Sequence, residues 1–133
     1  MNLVVSVALL GALVALPAHA HHEVAAYDTA HPVVIDGVVR EFVWANPHVV
    51  LYVEVLKGGA GRDMWALEGG SVQALERTGW TRKSLQRGER VEVLLAPKRN
   101  VQRAGRILRV TASDGRVLSI GPPSGLREPR SSE

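Results

Sequence analysis

The chain has 133 residues, a formal net charge of +3 and no cysteine. A chain of this length can bury one core but is too short for several domains. The absence of cysteine excludes disulfide bonds and thiolate metal sites, so any bound metal would need nitrogen or oxygen donors.

Residues 1–20 are predicted to be a cleaved secretory signal peptide. Met1 to Ala15 carries no charged side chain, and Ala18-His19-Ala20 is a small-x-small cleavage site. No other stretch approaches the roughly 20 apolar residues that a membrane-spanning helix requires. We therefore expect a periplasmic or secreted protein with no stable membrane insertion once the signal has been removed.

Three regions follow the predicted cleavage site. Residues 21–32 are polar and end at Pro32, which predicts an N-terminal arm. Residues 33–120 contain the strand-like patterns and are predicted to form the folded domain. Residues 121–133 have little apolar content, which predicts a disordered C-terminal tail.

Six runs in the folded region have the β-branched content or the two-residue alternation of strands. The pattern changes to a helical period after the third run, with Ser71 as a good N-cap and Gly79 as a plausible C-cap. These elements define an all-β domain with one short helix. The predicted strands are residues 33–44, 48–56, 63–68, 90–96, 105–112 and 116–120.

This order of elements is typical of an OB-fold, a five-stranded, partly open Greek-key barrel. Gly37 lies inside the long first strand and predicts a bend or bulge there, which would let that strand pair in both halves of a barrel. We therefore expect a small OB-fold-like, partly open β-barrel of five to six strands. A small open β-sandwich would use the same strands, but barrel closure removes exposed edges from a monomer and is favoured.

Three segments occur in a familiar order: FVWANPH at residues 42–48, WALEGGS at 65–71 and TGWTRKSLQRG at 78–88. Together with the paired histidines at 21 and 22, they resemble a family of small exported bacterial proteins, domain of unknown function 6152. The resemblance covers roughly residues 20–120. It implies export and a small β-rich domain, and it supplies no activity and no catalytic residue.

The paired histidines at the predicted cleavage site suggest a metal site. If cleavage follows Ala20, His21 offers both its imidazole and its α-amino nitrogen to one metal. A third nitrogen would complete a histidine brace, which suits Cu(II) and its preference for square-planar nitrogen ligands. His48 is the natural third donor because it follows a rigid Asn-Pro pair, with His22 and His31 as alternatives.

Two other interpretations of these histidines stay open. Cleavage after Ala18 would expose His19-Ala20-His21, which could wrap Cu(II) without help from the fold. Histidines beside a cleavage site can also be simple polar spacers, and a histidine that begins a strand often only caps a backbone group. The candidate metal ligands are therefore His21, His22 and His48, with copper as the candidate cofactor.

The basic residues are concentrated in the second half of the chain. This half could attract anionic lipid headgroups or lipopolysaccharide phosphates, although most charge runs are only a solvated face. Nucleic acid is not an expected partner of an exported protein, and the tryptophans are expected to plug the barrel ends rather than stack on bases. Ten of the sixteen basic residues are Arg82, Lys83, Arg87, Arg90, Lys98, Arg99, Arg103, Arg106, Arg109 and Arg116.

The sequence favours an exported, non-enzymatic binding or accessory module whose ligand is unknown, with Cu(II) as the leading candidate. One alternative is a small copper-dependent redox enzyme with a histidine-brace site. Another is a protein that binds anionic lipid or lipopolysaccharide surfaces. The chain carries no Gly-x-Ser-x-Gly element, and its glycine-rich loop at residues 58–61 precedes no helix, so neither supports catalysis or phosphate binding. We expect a monomer.

Overall fold

The computed structural model describes residues 25–121, which form six strands and one short helix. The predicted signal peptide, His21, His22 and nearly all of the predicted tail lie outside the described residues. The elements are β1 (Val33–Val43), β2 (Val50–Leu56), β3 (Arg62–Glu68), α1 (Val72–Glu76), β4 (Arg90–Pro97), β5 (Ala104–Ala112) and β6 (Val117–Ser119).

Strands β1 to β5 form a closed barrel, and β6 is an additional strand. The order across the sheet is β3-β2-β1-β4-β5-β6, and β3 also pairs with β5. This last pairing is parallel and joins Ala66 to Ala104 and Glu68 to Arg106. The prediction of an all-β barrel with one short helix is confirmed, and the barrel is closed rather than partly open, because β5 returns to the free edge of β3.

β1 takes part in both halves of the barrel, as its length predicted. Its first part, Val33–Val38, pairs with β4, and its second part, Val38–Val43, pairs with β2. The register shift in this strand lies between Val39 and Glu41, so the bulge is not at Gly37 where the sequence predicted a bend or bulge. The strand can therefore turn from one partner to the other within a few residues.

Gly37 has a different role, which is to permit close approach between β1 and β2. A Cβ atom at this position would lie 2.5 Å from the carbonyl oxygen of Glu54 and 2.5 Å from a methyl group of Val53. Such distances are far inside van der Waals contact, so only glycine allows the two strands to come this close.

The barrel core consists of the inward-facing residues of the alternating strands. Trp80 is 1% exposed and packs its ring 6.2 Å from Phe42, while Trp44 and Trp65 pack against the core from partly buried positions. All three tryptophans therefore pack in or against the core. Among residues 25–121, the largest fully buried aliphatic side chains are those of Leu51, Leu67, Leu75, Leu95, Ile107, Val39, Val49, Val53, Val93 and Val110.

Helix α1 begins at the predicted N-cap. The Ser71 hydroxyl accepts a 3.2 Å hydrogen bond from the Ala74 amide, which satisfies one of the N–H groups that a helix start leaves unpaired. The C-cap is Arg77 rather than Gly79. The helix ends early because the Thr78 amide and hydroxyl both bond to the Leu75 carbonyl, at 3.0 and 2.9 Å, and Gly79 follows in a turn with φ of +89°.

Candidate metal site at the Asn-Pro-His corner

His48 lies in the short corner between β1 and β2, and backbone bonds on its C-terminal side fix its position. The Val49 amide donates a 2.9 Å hydrogen bond to the Gly70 carbonyl, and the Gly69 amide donates a 2.7 Å bond to the Val49 carbonyl. Both groups of Val49 are thus held by the segment that leads into α1. His48 itself is partly buried.

Asn46 holds the other side of the corner. Its side-chain Oδ1 accepts a 3.0 Å hydrogen bond from the amide of Val72, the first residue of α1. The Asn46–Pro47 peptide bond is cis. With Asn46 and Val49 both bonded to residues 69–72, the backbone on either side of His48 is fixed to the start of the helix. This is the preorganisation that a ligand residue requires.

The described part of the N-terminal arm runs against the end of the β4–β5 hairpin. The Asp28 amide donates a 2.8 Å bond to the Pro97 carbonyl, and the Arg99 amide donates a 2.8 Å bond to the Ala26 carbonyl. Tyr27 forms a bridge with Lys98 between these two bonds and is only 5% exposed. The arm is therefore attached to the barrel at residues 26–28.

Tyr27 connects this arm to the surroundings of His48 through Glu68, the last residue of β3. The Tyr27 hydroxyl donates a 2.6 Å hydrogen bond to Glu68 Oε2, and the Lys98 ammonium group lies 3.3 Å from Glu68 Oε1. Burial raises the pKa of Glu68, but the bonds from Tyr27 and Lys98 and the charges of Lys98 and His48 outweigh it, so the pKa is lowered overall. Glu68 is also the register partner of Val50, two residues after His48, so the arm is attached near the corner.

The carboxylate of Glu68 is thus already committed to other partners. Tyr27 and Lys98 each bond to one of its oxygens. Because Lys98 balances the charge of the carboxylate and Tyr27 donates to it, Glu68 serves to hold the arm.

His31, the alternative third donor, has a different partner. Its Nδ1 lies 3.1 Å from Asp28 Oδ2, and its side chain is 83% exposed. The interaction with His31, opposed by burial and aided by Arg99, lowers the pKa of Asp28. His31 therefore belongs to an exposed pair on the arm rather than to the Asn-Pro-His corner.

The described residues supply only part of a coordination sphere. Residues 25–121 contain no group of three or more His, Asp or Glu side chains placed to hold a metal ion. A site at His48 would therefore require further donors from His21 and His22, which lie outside the described residues. Neutral nitrogen donors of this kind fit Cu(II), whereas nothing in the described donor set fits a carboxylate-rich Mg²⁺ or Ca²⁺ site.

The sequence predicts His48 as a candidate ligand, and this stays a prediction, whereas the contacts of Tyr27, Glu68 and Lys98 were not predicted. Glu68 lies inside the second family-like segment, where its position before Gly69-Gly70 was a usable signal. Tyr27 is the aromatic residue of an otherwise polar arm, a composition that favours a buried anchor over a disordered leader. Lys98 could not be distinguished from other basic residues because its pairing with Glu68 joins positions 30 residues apart.

The three family-like segments contact one another in the structure. Asn46 of the first accepts a bond from Val72, which directly follows the second, and Val49, which directly follows the first, bonds to Gly69 and Gly70 of the second. Trp80 of the third packs against Phe42 of the first. None of the helices in residues 25–121 has the length or the apolar character to cross a membrane. The fold and this corner define a small closed β-barrel protein with an anchored N-terminal arm.

The chain belongs to the family of unknown function DUF6152, whose profile matches residues 9–107. The match covers the corner, the helix and most of the barrel, so the family resemblance of the three segments is confirmed. A search of curated proteins finds no match to this chain.

Proposed function

We propose that the protein is an exported, periplasmic, non-enzymatic binding module on an OB-like barrel, and that its ligand is a Cu(II) ion. The donors are the α-amino group and imidazole of His21, with His48 and His22 supplying further nitrogen. Cleavage after Ala20 would create the free amino group that this ligand set requires. A bound copper ion would supply a redox-active Lewis acid, and the chain's own residues hold and orient it.

One observation carries this proposal. Tyr27, six positions after His21, has its hydroxyl on Glu68, and Glu68 is the register partner of Val50, two residues after His48. Six residues span at most about 20 Å when fully extended. This attachment of the arm near the corner supports a site that His21 and His48 share.

The experiment is a Cu(II) titration of the exported protein after intact mass has established its first residue. Wild type, His48→Ala and His31→Ala would be compared, with electron paramagnetic resonance to count the nitrogen ligands. His48→Ala should weaken binding at least tenfold, whereas His31→Ala is the matched control and should bind as wild type does. Equal affinity in all three proteins would refute a site that involves the corner.

A variant with three alanines inserted before His21 tests the amino-terminal donor. It retains every imidazole, moves the α-amino group away from His21 and leaves no histidine among the first three residues, so it should lose affinity and change its spectrum. Binding that survives in urea would instead indicate the His19-Ala20-His21 arrangement, which needs no fold. A mature chain that starts at another residue would exclude the brace.

A further inference from the structure

The segment from the end of α1 to the first residue of β4 is rich in basic residues. Residues 77–90, the basic segment, contain five basic residues and one acidic residue, for a formal charge of +4. The whole chain has a net charge of +3, so the remaining residues together carry −1. Residues 98–109 carry a higher formal charge, +5 from five basic residues and no acidic one, so it is ion pairing rather than charge alone that distinguishes the basic segment. Its basic residues are Arg77, Arg82, Lys83, Arg87 and Arg90.

Ion pairing separates this segment from the rest of the described barrel. Seven of the nine basic residues outside it in residues 25–121 have a carboxylate partner within 4.0 Å, all except Arg106 and Arg109. The five cations of the basic segment have no ion pair to any of residues 25–121. Glu89, its one acidic residue, pairs with Arg116 at 3.3 Å. The paired residues are Arg40, Lys57, Arg62, Lys98, Arg99, Arg103 and Arg116.

The backbone that carries these cations is held by buried anchors. Trp80, Ser84 and Leu85 are 1%, 7% and 3% exposed. The Ser84 hydroxyl accepts a 2.8 Å bond from the Thr81 amide, and Arg116 donates a 2.7 Å bond to the Ser84 carbonyl. The exposed cations therefore project from a fixed loop, which lowers the entropic cost of binding to a surface.

The end of the segment is fixed to β1. The Gly88 amide donates to the Val39 carbonyl and the Val39 amide donates to the Glu89 carbonyl, both at 2.8 Å. Gly88 takes a φ of +91°, the left-handed region that favours glycine. Arg87 and Arg90 are exposed on either side of this turn.

We infer that the basic segment docks the protein on an anionic lipid surface. Trp80 is its only aromatic residue and is buried, so the segment offers no exposed ring for a nucleic-acid base to stack on. It contains none of the exposed large hydrophobic residues, so the contact is with phosphate headgroups and does not insert into the bilayer. This inference does not depend on metal binding.

The test measures binding of the exported protein to phosphatidylcholine vesicles that contain 30% phosphatidylglycerol, with pure phosphatidylcholine for comparison. Wild type should bind only the anionic vesicles, and binding should fall steeply as salt is raised from 50 to 300 mM. The triple variant Arg82→Gln, Lys83→Gln, Arg87→Gln should lose roughly 100-fold in affinity, because each basic residue near an anionic surface contributes about fivefold.

A control variant with the same net charge tests whether binding depends on the basic segment itself or only on the charge of the whole protein. Arg99→Gln, Arg103→Gln, Arg109→Gln removes the same three charges from outside the basic segment and should retain most of the binding. Circular dichroism verifies that both variants are folded. An equal loss in the two variants, or no binding of wild type at 50 mM salt, would overturn the inference.

Two competition experiments identify the source of the phosphate. Inorganic phosphate at a few millimolar, at constant ionic strength, should leave vesicle binding unchanged. Displacement would instead indicate a phosphate pocket. Single-stranded DNA that binds more tightly than the vesicles would point to nucleic acid as the partner and overturn the lipid assignment.

Discussion

The hydroxyl of Tyr27 donates a 2.6 Å hydrogen bond to the carboxylate of Glu68, 41 positions further along the chain. This bond fixes the N-terminal arm to the last residue of β3. Tyr27 lies six positions after His21, so this attachment supports the proposed copper site.

Tyr27→Phe removes the hydroxyl and keeps the buried ring. A hydrogen bond to a charged carboxylate that is partly buried contributes about 1–2 kcal/mol, so the free energy of unfolding in urea should fall by about that amount. The control is Tyr52→Phe, a partly buried tyrosine on the outer face of β2, which should change stability by less than about 0.5 kcal/mol. If both variants are as stable as wild type, Tyr27 does not anchor the arm.

Acid should release the arm before it unfolds the barrel. The pKa of Glu68 in the folded protein lies below its ordinary value of 4.5, so the ionised carboxylate favours the anchored arm. This contribution is complete above pH 4.5 and is lost as the pH falls through the lowered folded-state pKa.

Hydrogen exchange at two amides measures this release. The Asp28 amide bonds to Pro97 at the end of the β4–β5 hairpin, and the Arg99 amide bonds to Ala26 in the arm. Their protection should fall on acidification while the core amides of β1 and β4 remain protected. Glu68→Gln should flatten the pH dependence of these two amides. A profile unchanged by Glu68→Gln would mean that another group controls the arm.

Asn46→Ala should loosen the Asn-Pro-His corner. It removes the acceptor for the amide of Val72 at the start of α1, which is equivalent to the loss of a helix cap and costs about 0.5–2 kcal/mol. Asn46→Asp keeps an oxygen at this position and should retain stability. Thermal unfolding of the three proteins measures this difference, and equal midpoints for Asn46→Ala and Asn46→Asp would contradict it.

Gly37→Ala should destabilise the barrel because the added methyl group meets the backbone of Glu54 at 2.5 Å. Overpacking against a backbone atom that cannot move away costs about 1–3 kcal/mol. Gly58→Ala in the β2–β3 loop is the control, because a Cβ there has no neighbour within 4 Å. Chemical denaturation of both variants compares the two sites, and equal destabilisation would argue against close strand approach at Gly37.

Alternation of apolar residues predicted the strands well because one face of each strand is buried. It was less accurate at the start of β2, which was predicted from His48 and begins at Val50. The reason is that Val49 uses its amide and carbonyl to bond with Gly70 and Gly69 in the loop before α1. The alternation of apolar residues indicates which side chains are buried. It does not indicate which partners the backbone amide and carbonyl groups bond to.

The candidate site was only partly accessible from the sequence. His48 stands out because it follows Asn-Pro, and Ser71 stands out as an N-cap before a short helical pattern. The contacts of Tyr27 with Glu68 and of Lys98 with Glu68 depend on how the arm crosses the finished barrel. Such contacts arise from tertiary packing, and no local pattern of residue types encodes them.

The parallel pairing of β3 with β5 is confined to three residues, Ala66, Leu67 and Glu68. Parallel pairs are slightly weaker than antiparallel ones, so we expect the barrel to open most easily at this short β3–β5 pair. Glu68 is the last β3 residue of this pair, and it also accepts the hydrogen bond from Tyr27 that anchors the arm. We therefore expect that opening of the β3–β5 pair weakens the attachment of the arm, and that a ligand bound to both the arm and the corner opposes this opening.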